Sequence, residues 1–234
     1  MSHELPATQE PSAGFAWRDP AQAEAARYVL LRRLAPAMRH HLVVNLQPIG
    51  MVYEVMQRRL RAPQPDLSQA LGSAHKIHGF ARAALSSCLD VVTWLVPEEN
   101  AAMPLADGVR ECAGLLASNL SFRGYGLRNE VGPLPGQVRR AALRTMLTAL
   151  LIHATDEQPS PAELVLTAQA GAEGAVLTLT VRPAQGAGGF ATEAGYRGLA
   201  HQDLEALAAA ESVRLEREGW CWRLSLPWVG SAQA

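Results

Sequence analysis

Apolar residues recur every three or four positions from about residue 19 to 61 and again from 66 to 95, the period of an amphipathic helix. The first stretch opens on Asp19-Pro20, a capping residue before a proline at the first helical position. It closes on Ala62-Pro63 and a Pro-Gln-Pro turn. Within it Leu42, Leu46, Ile49, Tyr53, Met56 and Leu60 alternate four and three apart, a heptad seam. Pro36 and Pro48 each remove a backbone hydrogen bond, so a kink is expected at both. In the second stretch Ala70, Ala74, Ile77, Ala81, Ala84, Cys88, Val91 and Leu95 form a stripe of mostly small residues that lets a partner helix approach closely. Two long helices joined by a short loop predict an antiparallel hairpin. A lone hairpin leaves much of its apolar surface wet, so two copies are expected to pair into a four-helix bundle, a homodimer.

From 97 to 104 the chain reads as a linker, and the pattern then changes. A helix is predicted over 105–120, a strand over 126–131, a strongly apolar helix over 136–155 and alternating strands over 164–168 and 175–181. A Gly-rich loop over 184–198, a helix over 201–210 and a hairpin of 213–216 with 221–226 complete the set. Helices interleaved with mostly antiparallel strands suggest an α/β sandwich whose sheet is covered on one face. The expected fold is therefore α+β: a leader over 1–18, a helical hairpin over 19–97 and a sandwich domain over 104–230.

Composition narrows the functional classes. Residues 2–14 mix Pro, Ser, Gln and Glu and are expected to be a floppy leader. The formal net charge of −1 gives no reason to expect nucleic acid or an anionic membrane as partner. No apolar run approaches the roughly 20 residues needed to span a bilayer, and the polar start lacks a signal-peptide pattern. Cys88, Cys112 and Cys221 are odd in number and scattered, which fits a reducing cytoplasm and neither a metal knuckle nor a disulfide framework.

Two segments carry candidate chemistry. The run Met38-Arg39-His40-His41-Leu42-Val43-Val44-Asn45-Leu46-Gln47-Pro48-Ile49 resembles the phosphoacceptor box of histidine kinases. One family version, H-H-R-V-K-N-N-L-Q-V-I, puts its phosphorylated second His on His40 and matches Asn45, Leu46, Gln47 and Ile49. The common H-E-L-R-T-P-L version also puts its His on His40. Further on, Leu143 to Ala154 looks like the L-x-x-x-L-x-N-L-L-x-N-A helix of kinase ATP-binding domains, and Gly219 to Pro227 resembles their terminal G-T-x-F-x-L-x-L-P strand. The resemblance runs in order from Tyr28 to Pro227.

The departures matter as much. Ala149 and His153 stand where the nucleotide-binding helix carries two Asn residues, one of which holds Mg²⁺. Arg182-Pro183-Ala184-Gln185-Gly186 replaces D-x-G-x-G, and the later glycine-rich loop is reduced to Tyr196-Arg197-Gly198-Leu199-Ala200. A phosphate cradle needs several glycines so that backbone N–H groups can approach the anion. The pattern therefore resembles ChpT-like histidine phosphotransferases, which pair a dimeric helical hairpin with a degenerate ATPase domain. The resemblance implies phosphoryl transfer between receiver-domain aspartates without ATP, no cofactor of the chain's own, and Mg²⁺ supplied by the receiver.

Phosphotransfer needs an exposed, unprotonated imidazole nitrogen, and an ordinary imidazole with pKa about 6.5 is mostly neutral at pH 7. At about 100° per residue His40 lies roughly 160° from the centre of the apolar seam and should face solvent. His41 lies about 100° round and is the second choice. Val44, Gln47 and Met51 share the His40 face and form a candidate docking patch for a response-regulator receiver. His41 also takes the place of the acid that follows the phosphoacceptor in the commonest autokinases. His75 and His78, three apart, lack a third fixed ligand for a metal, and His153 is expected to fill the vacated nucleotide pocket. Trp220 and Trp222, two apart, are expected to share one face of a strand, and Gly186, Gly188 and Gly189 to form a plain flexible loop. A non-catalytic adaptor that binds receivers or kinases, and an autokinase with an unorthodox ATP site, are the rival readings.

Overall fold

The computed structural model describes residues 20–96, 98, 100–186, 188–190 and 197–230; the expected leader, Asp19, Pro97 and Tyr196 lie outside the described residues. Helix α1 (Pro20–Leu60) runs unbroken through both Pro36 and Pro48. Helix α2 (Leu67–Leu95) starts at Asp66, whose carboxylate accepts the Gln69 N–H at 3.0 Å and so satisfies a donor of the first turn. The two helices pack along each other as the predicted hairpin.

Their facing surfaces are rotated from the expected stripes. On α2 the buried or half-buried positions are Ala70, Ser73, Ile77, Phe80, Ala84, Ser87, Val91, Thr93 and Trp94, whereas Ala74, Ala81, Cys88 and Leu95 are exposed. On α1, Leu42, Ile49 and Met56 of the seam are half-buried, but Leu46, Tyr53 and Leu60 are exposed. Asn45 links the pair by donating to Ser87 Oγ at 2.9 Å.

After the hairpin come β1 (Ala102–Met103), α3 (Leu105–Phe122), β2 (Tyr125–Asn129), β3 (Val138–Arg139), α4 (Arg140–Glu157), β4 (Ala162–Ala170), β5 (Gly174–Pro183), α5 (His201–Glu211), β6 (Arg214–Glu218) and β7 (Cys221–Pro227). The main sheet has the order β2-β4-β5-β7-β6, with β2 parallel to β4 and the other pairs antiparallel. Side chains alternate across it. Leu164, Leu166, Leu177, Leu179, Trp222, Leu224 and Leu226 are buried under the helices, while Thr178 and Arg223 face the other way.

Three further sequence expectations need correction. The helix expected from 136 begins only at Arg140, because Gly136 holds φ +84° with the Trp228 ring so close that a Cβ would meet it at 2.8 Å. Val138 and Arg139 instead pair with Ala102 and Met103, inside the stretch read as linker. Trp220 and Trp222 also do not share a strand face: Trp222 is fully buried on β7, whereas Trp220 sits in the preceding turn and is exposed, its ring edge-on to Trp222.

Helix α1 belongs to both parts of the molecule. Its first half buries Ala23, Ala26, Leu30, Leu34 and Met38 against α5, α3 and α4. Arg33 pairs bidentately with Asp156 at 2.6 and 2.8 Å, and Arg27 shares Glu211 with Arg139. The end of α2 is fixed separately. Arg144, 3% exposed, donates to Thr93 Oγ1 (2.7 Å), to Asp90 (3.0 Å) and to Glu111, and stacks over the Trp94 ring. Arg140 adds longer contacts to the same two carboxylates. Buried charges persist only when paired in this way.

Candidate functional site

Met38 is the last fully buried residue of α1, and the phosphoacceptor-like segment starts where the helix leaves the sandwich. Adding 200° from Met38 turns His40 to the opposite side of the helix. His40 is exposed, as are Val44, Gln47 and Met51, at intervals of four, three and four residues along the same face. Val44 and Met51 are 51% and 55% exposed, a high value for apolar side chains next to a titratable ring.

His41 is also exposed but turns the other way. It lines a cleft of about 250 Å³ between the hairpin and α3, together with Met38, Ser87, Asp90, Trp94 and Arg110. The two imidazoles stand edge-on with centroids 6.5 Å apart. The backbone beneath is braced by Asn45, whose amide donates to the His41 carbonyl at 3.2 Å as well as to Ser87.

The positions that resemble a nucleotide site are built into the core. Ala149 and His153 are both 0% exposed. His153 Nδ1 donates to the Leu199 carbonyl at 2.6 Å, joining α4 to the short run before α5 that stands where a glycine-rich loop would be. Its Nε2 lies 3.4 Å from Glu157, outside hydrogen-bond geometry. Trp222 meets the His153 ring perpendicularly at 6.1 Å. Arg217 closes the group, lying over Trp222 and pairing with Glu157 at 2.7 Å. Arg182 to Gln185 at the end of β5 are exposed and present no acid. Leu199 itself is buried, whereas Arg197, Gly198 and Ala200 are exposed.

Among the described residues no group of three or more His, Cys, Asp or Glu could hold a metal ion; His75 and His78 are exposed on α2. Cys88, Cys112 and Cys221 are free, and burial pushes the Cys112 thiol above its ordinary range. No described helix is long and apolar enough to cross a membrane. Sequence reasoning missed the Arg144 network. Its one signal was a cation inside the apolar run Ala142-Leu143-Arg144-Thr145-Met146, which requires a carboxylate partner supplied from elsewhere in the fold.

No family model matches the chain, and no curated protein matches it. Solved structures with a similar arrangement include one described as a bacterial phosphotransferase (12% identity, 95% of this chain and 100% of that one, TM-score 0.40). Another is histidine kinase AdeS of Acinetobacter baumannii (13% identity, 79% and 98%, TM-score 0.41). A third is histidine kinase ThkA in complex with the response regulator TrrA (12% identity, 95% and 70%, TM-score 0.44).

Proposed function

We propose that this chain is a histidine phosphotransferase of a two-component phosphorelay, passing a phosphoryl group between receiver-domain aspartates through His40 and binding no ATP. The observation that carries the reading is an exposed His40 inside a phosphoacceptor-like segment, in a chain whose Ala149 and His153 are buried where a kinase would need asparagines. In the forward step the lone pair of an unprotonated His40 nitrogen attacks the phosphorus of a receiver acyl phosphate. The N–P bond forms as the O–P bond breaks, and the electron pair leaves on the aspartate carboxylate. The other ring nitrogen then gives its proton to solvent. The reverse sequence delivers the group to a second receiver. Positioning supplies most of the rate, and the receiver brings the Mg²⁺ that neutralises the moving charge.

Val44, Gln47 and Met51 are the proposed contacts for the receiver. The chain works as a cytoplasmic homodimer in this reading. A second copy covers Leu46 and Tyr53 of α1 and Leu85, Leu89 and Val92 of α2, all at least half exposed in one chain. Two hairpins then share one core as a four-helix bundle.

The test is incubation with a phosphorylated receiver, following label from receiver to chain. Label on the wild type that vanishes in His40→Ala supports the relay. No label on either leaves a non-catalytic adaptor that binds receivers or kinases. Saturable Mg-ATP binding at micromolar concentration would overturn the reading of the degenerate nucleotide site.

A further inference from the structure

The seam that α1 and α2 form is a heptad on both helices. On α1, Met38, Leu42, Asn45, Ile49, Val52 and Met56 are buried or half-buried at intervals of 4-3-4-3-4, with Pro48 and Gln57 half-buried at the flank. On α2 the covered positions from Ala70 to Trp94, apart from Thr93, are also spaced alternately three and four. Asn45 is the one polar member on α1, and its amide donates across the seam to Ser87 Oγ at 2.9 Å. The other serine of the α2 stripe, Ser73, turns back on its own helix and donates to the Gln69 carbonyl at 3.0 Å. Asn45 with Ser87 is therefore a single polar layer in an apolar seam.

Helix α1 offers a second heptad. Leu42, Leu46, Ile49, Tyr53 and Met56 are spaced 4-3-4-3 and share three members with the first, with Leu46 in place of Asn45 and Tyr53 in place of Val52. A rotation of α1 by about 50° exchanges one seam for the other. Apolar burial alone favours the second, since burial is non-directional and that seam has no polar member. The structure nevertheless leaves Leu46 and Tyr53 half exposed and turns Asn45 inward. Rotation to the second seam breaks the Asn45–Ser87 bond. Sliding α2 by one heptad does so too, because it sets Asn45 against Phe80 or Trp94, neither of which can accept from the amide.

Resting on the phosphorelay reading for the reaction served, we infer that Asn45 is a positioning residue: its bond to Ser87 selects the rotation of α1 that aims His40. A buried polar contact of this kind specifies register at some cost in stability. The amide also donates to the His41 carbonyl at 3.2 Å, so the selection acts one residue from the reactive ring. A receiver domain about 30 Å across overhangs a helix about 10 Å wide and must rest on its neighbours as well. Rotation of α1 beneath it therefore moves His40 off the line of transfer, where a misplacement of about 1 Å can cost a hundredfold in rate.

The test compares the wild type with Asn45→Leu, with Ser87→Ala and with the exchange of Asn45→Ser together with Ser87→Asn. Spin labels on the exposed positions Gln47 and Ala83 report the rotation as a distance distribution. Cys88 and Cys221 are replaced by serine for that measurement, and the labelled chain is diluted into excess unlabelled chain. Transfer from a phosphorylated receiver is timed at saturating receiver in chains without labels. Asn45→Leu should melt no lower than the wild type, show a broadened or second distance, and accept label ~10-fold or more slowly. Ser87→Ala should change both in the same direction, and the exchange should recover the single distance and most of the rate. A single wild-type distance in Asn45→Leu overturns the inference. So does a wild-type transfer rate despite a changed distance, or a lowered melting temperature with a slow rate that the exchange does not recover. If the distances behave as expected but the wild type takes no label, the relay reading fails and the selection of rotation by Asn45 stands.

Discussion

The Asp203 carboxylate is buried at the start of α5, where it accepts hydrogen bonds from Arg197 (2.5 and 3.0 Å), the Ala200 N–H (2.8 Å) and Gln22 of α1 (2.6 Å). Burial alone would raise its pKa, but these donors outweigh it and hold the carboxyl below its ordinary value. A depressed folded pKa adds stability that is present above the unfolded value near 3.9 and is lost as pH falls through the folded value. Asp203→Asn should therefore cost about 1–3 kcal/mol at pH 7 and flatten the acid limb of the stability curve. Urea melts between pH 7 and pH 3 check this, and an unchanged acid limb would contradict it. His153 makes a similar bridge to Leu199, so His153→Ala should cost about 2–4 kcal/mol through a cavity and an orphaned carbonyl. Replacing His153 by Asn should not create nucleotide binding, because Trp222 and Arg217 still occupy the space. Calorimetric titration with Mg-ATP checks the second point.

At the scale of elements, the end of α2 is held to α3 and α4 by Arg144 with Asp90, Thr93, Glu111 and Trp94. Removing one partner of a buried pair costs about 3–5 kcal/mol; Asp90 is half exposed, so Arg144→Ala should cost about 2–3 kcal/mol. The variant should also raise hydrogen exchange at the close of α2 more than in β5, and uniform exchange would contradict a local clamp. This network could not be read from the sequence, because Asp90, Glu111 and Arg144 sit on three successive helices, Arg144 lying 54 and 33 residues from the two carboxylates, and no local period links them. Periodicity did reveal the hairpin, α3, α5 and the strands of the sheet, since each has one apolar face. It failed where a backbone conformation decided the outcome, as at Gly136, and where both sides of a helix are covered. Helix α1 bends the apolar seam argument for that reason: its first half packs on the sandwich, so the buried stripe through Met38 is not the one through Leu46 and Tyr53. The exposure of His40 followed from the helical period alone.

For the whole molecule, the apolar residues left outside are concentrated on the hairpin. Leu67, Leu71, Leu85, Leu89, Val92 and Val96 of the α2 region are each more than half exposed. A stripe of this length is rarely left wet in a soluble monomer. Light scattering should give about twice the chain mass of 25.1 kDa. Leu85→Glu/Leu89→Glu should halve the particle mass while α3, α4, α5 and the sheet stay folded. A monomeric wild type at micromolar concentration would contradict the paired bundle.

The most direct test of the account is to find where a phosphoryl group resides after transfer from a phosphorylated receiver. The account predicts an acid-labile, base-stable adduct on the His40 ring, retained in His41→Ala and absent in His40→Ala. An adduct on His41, His75 or His78, or none at all with a receiver that binds, would contradict it.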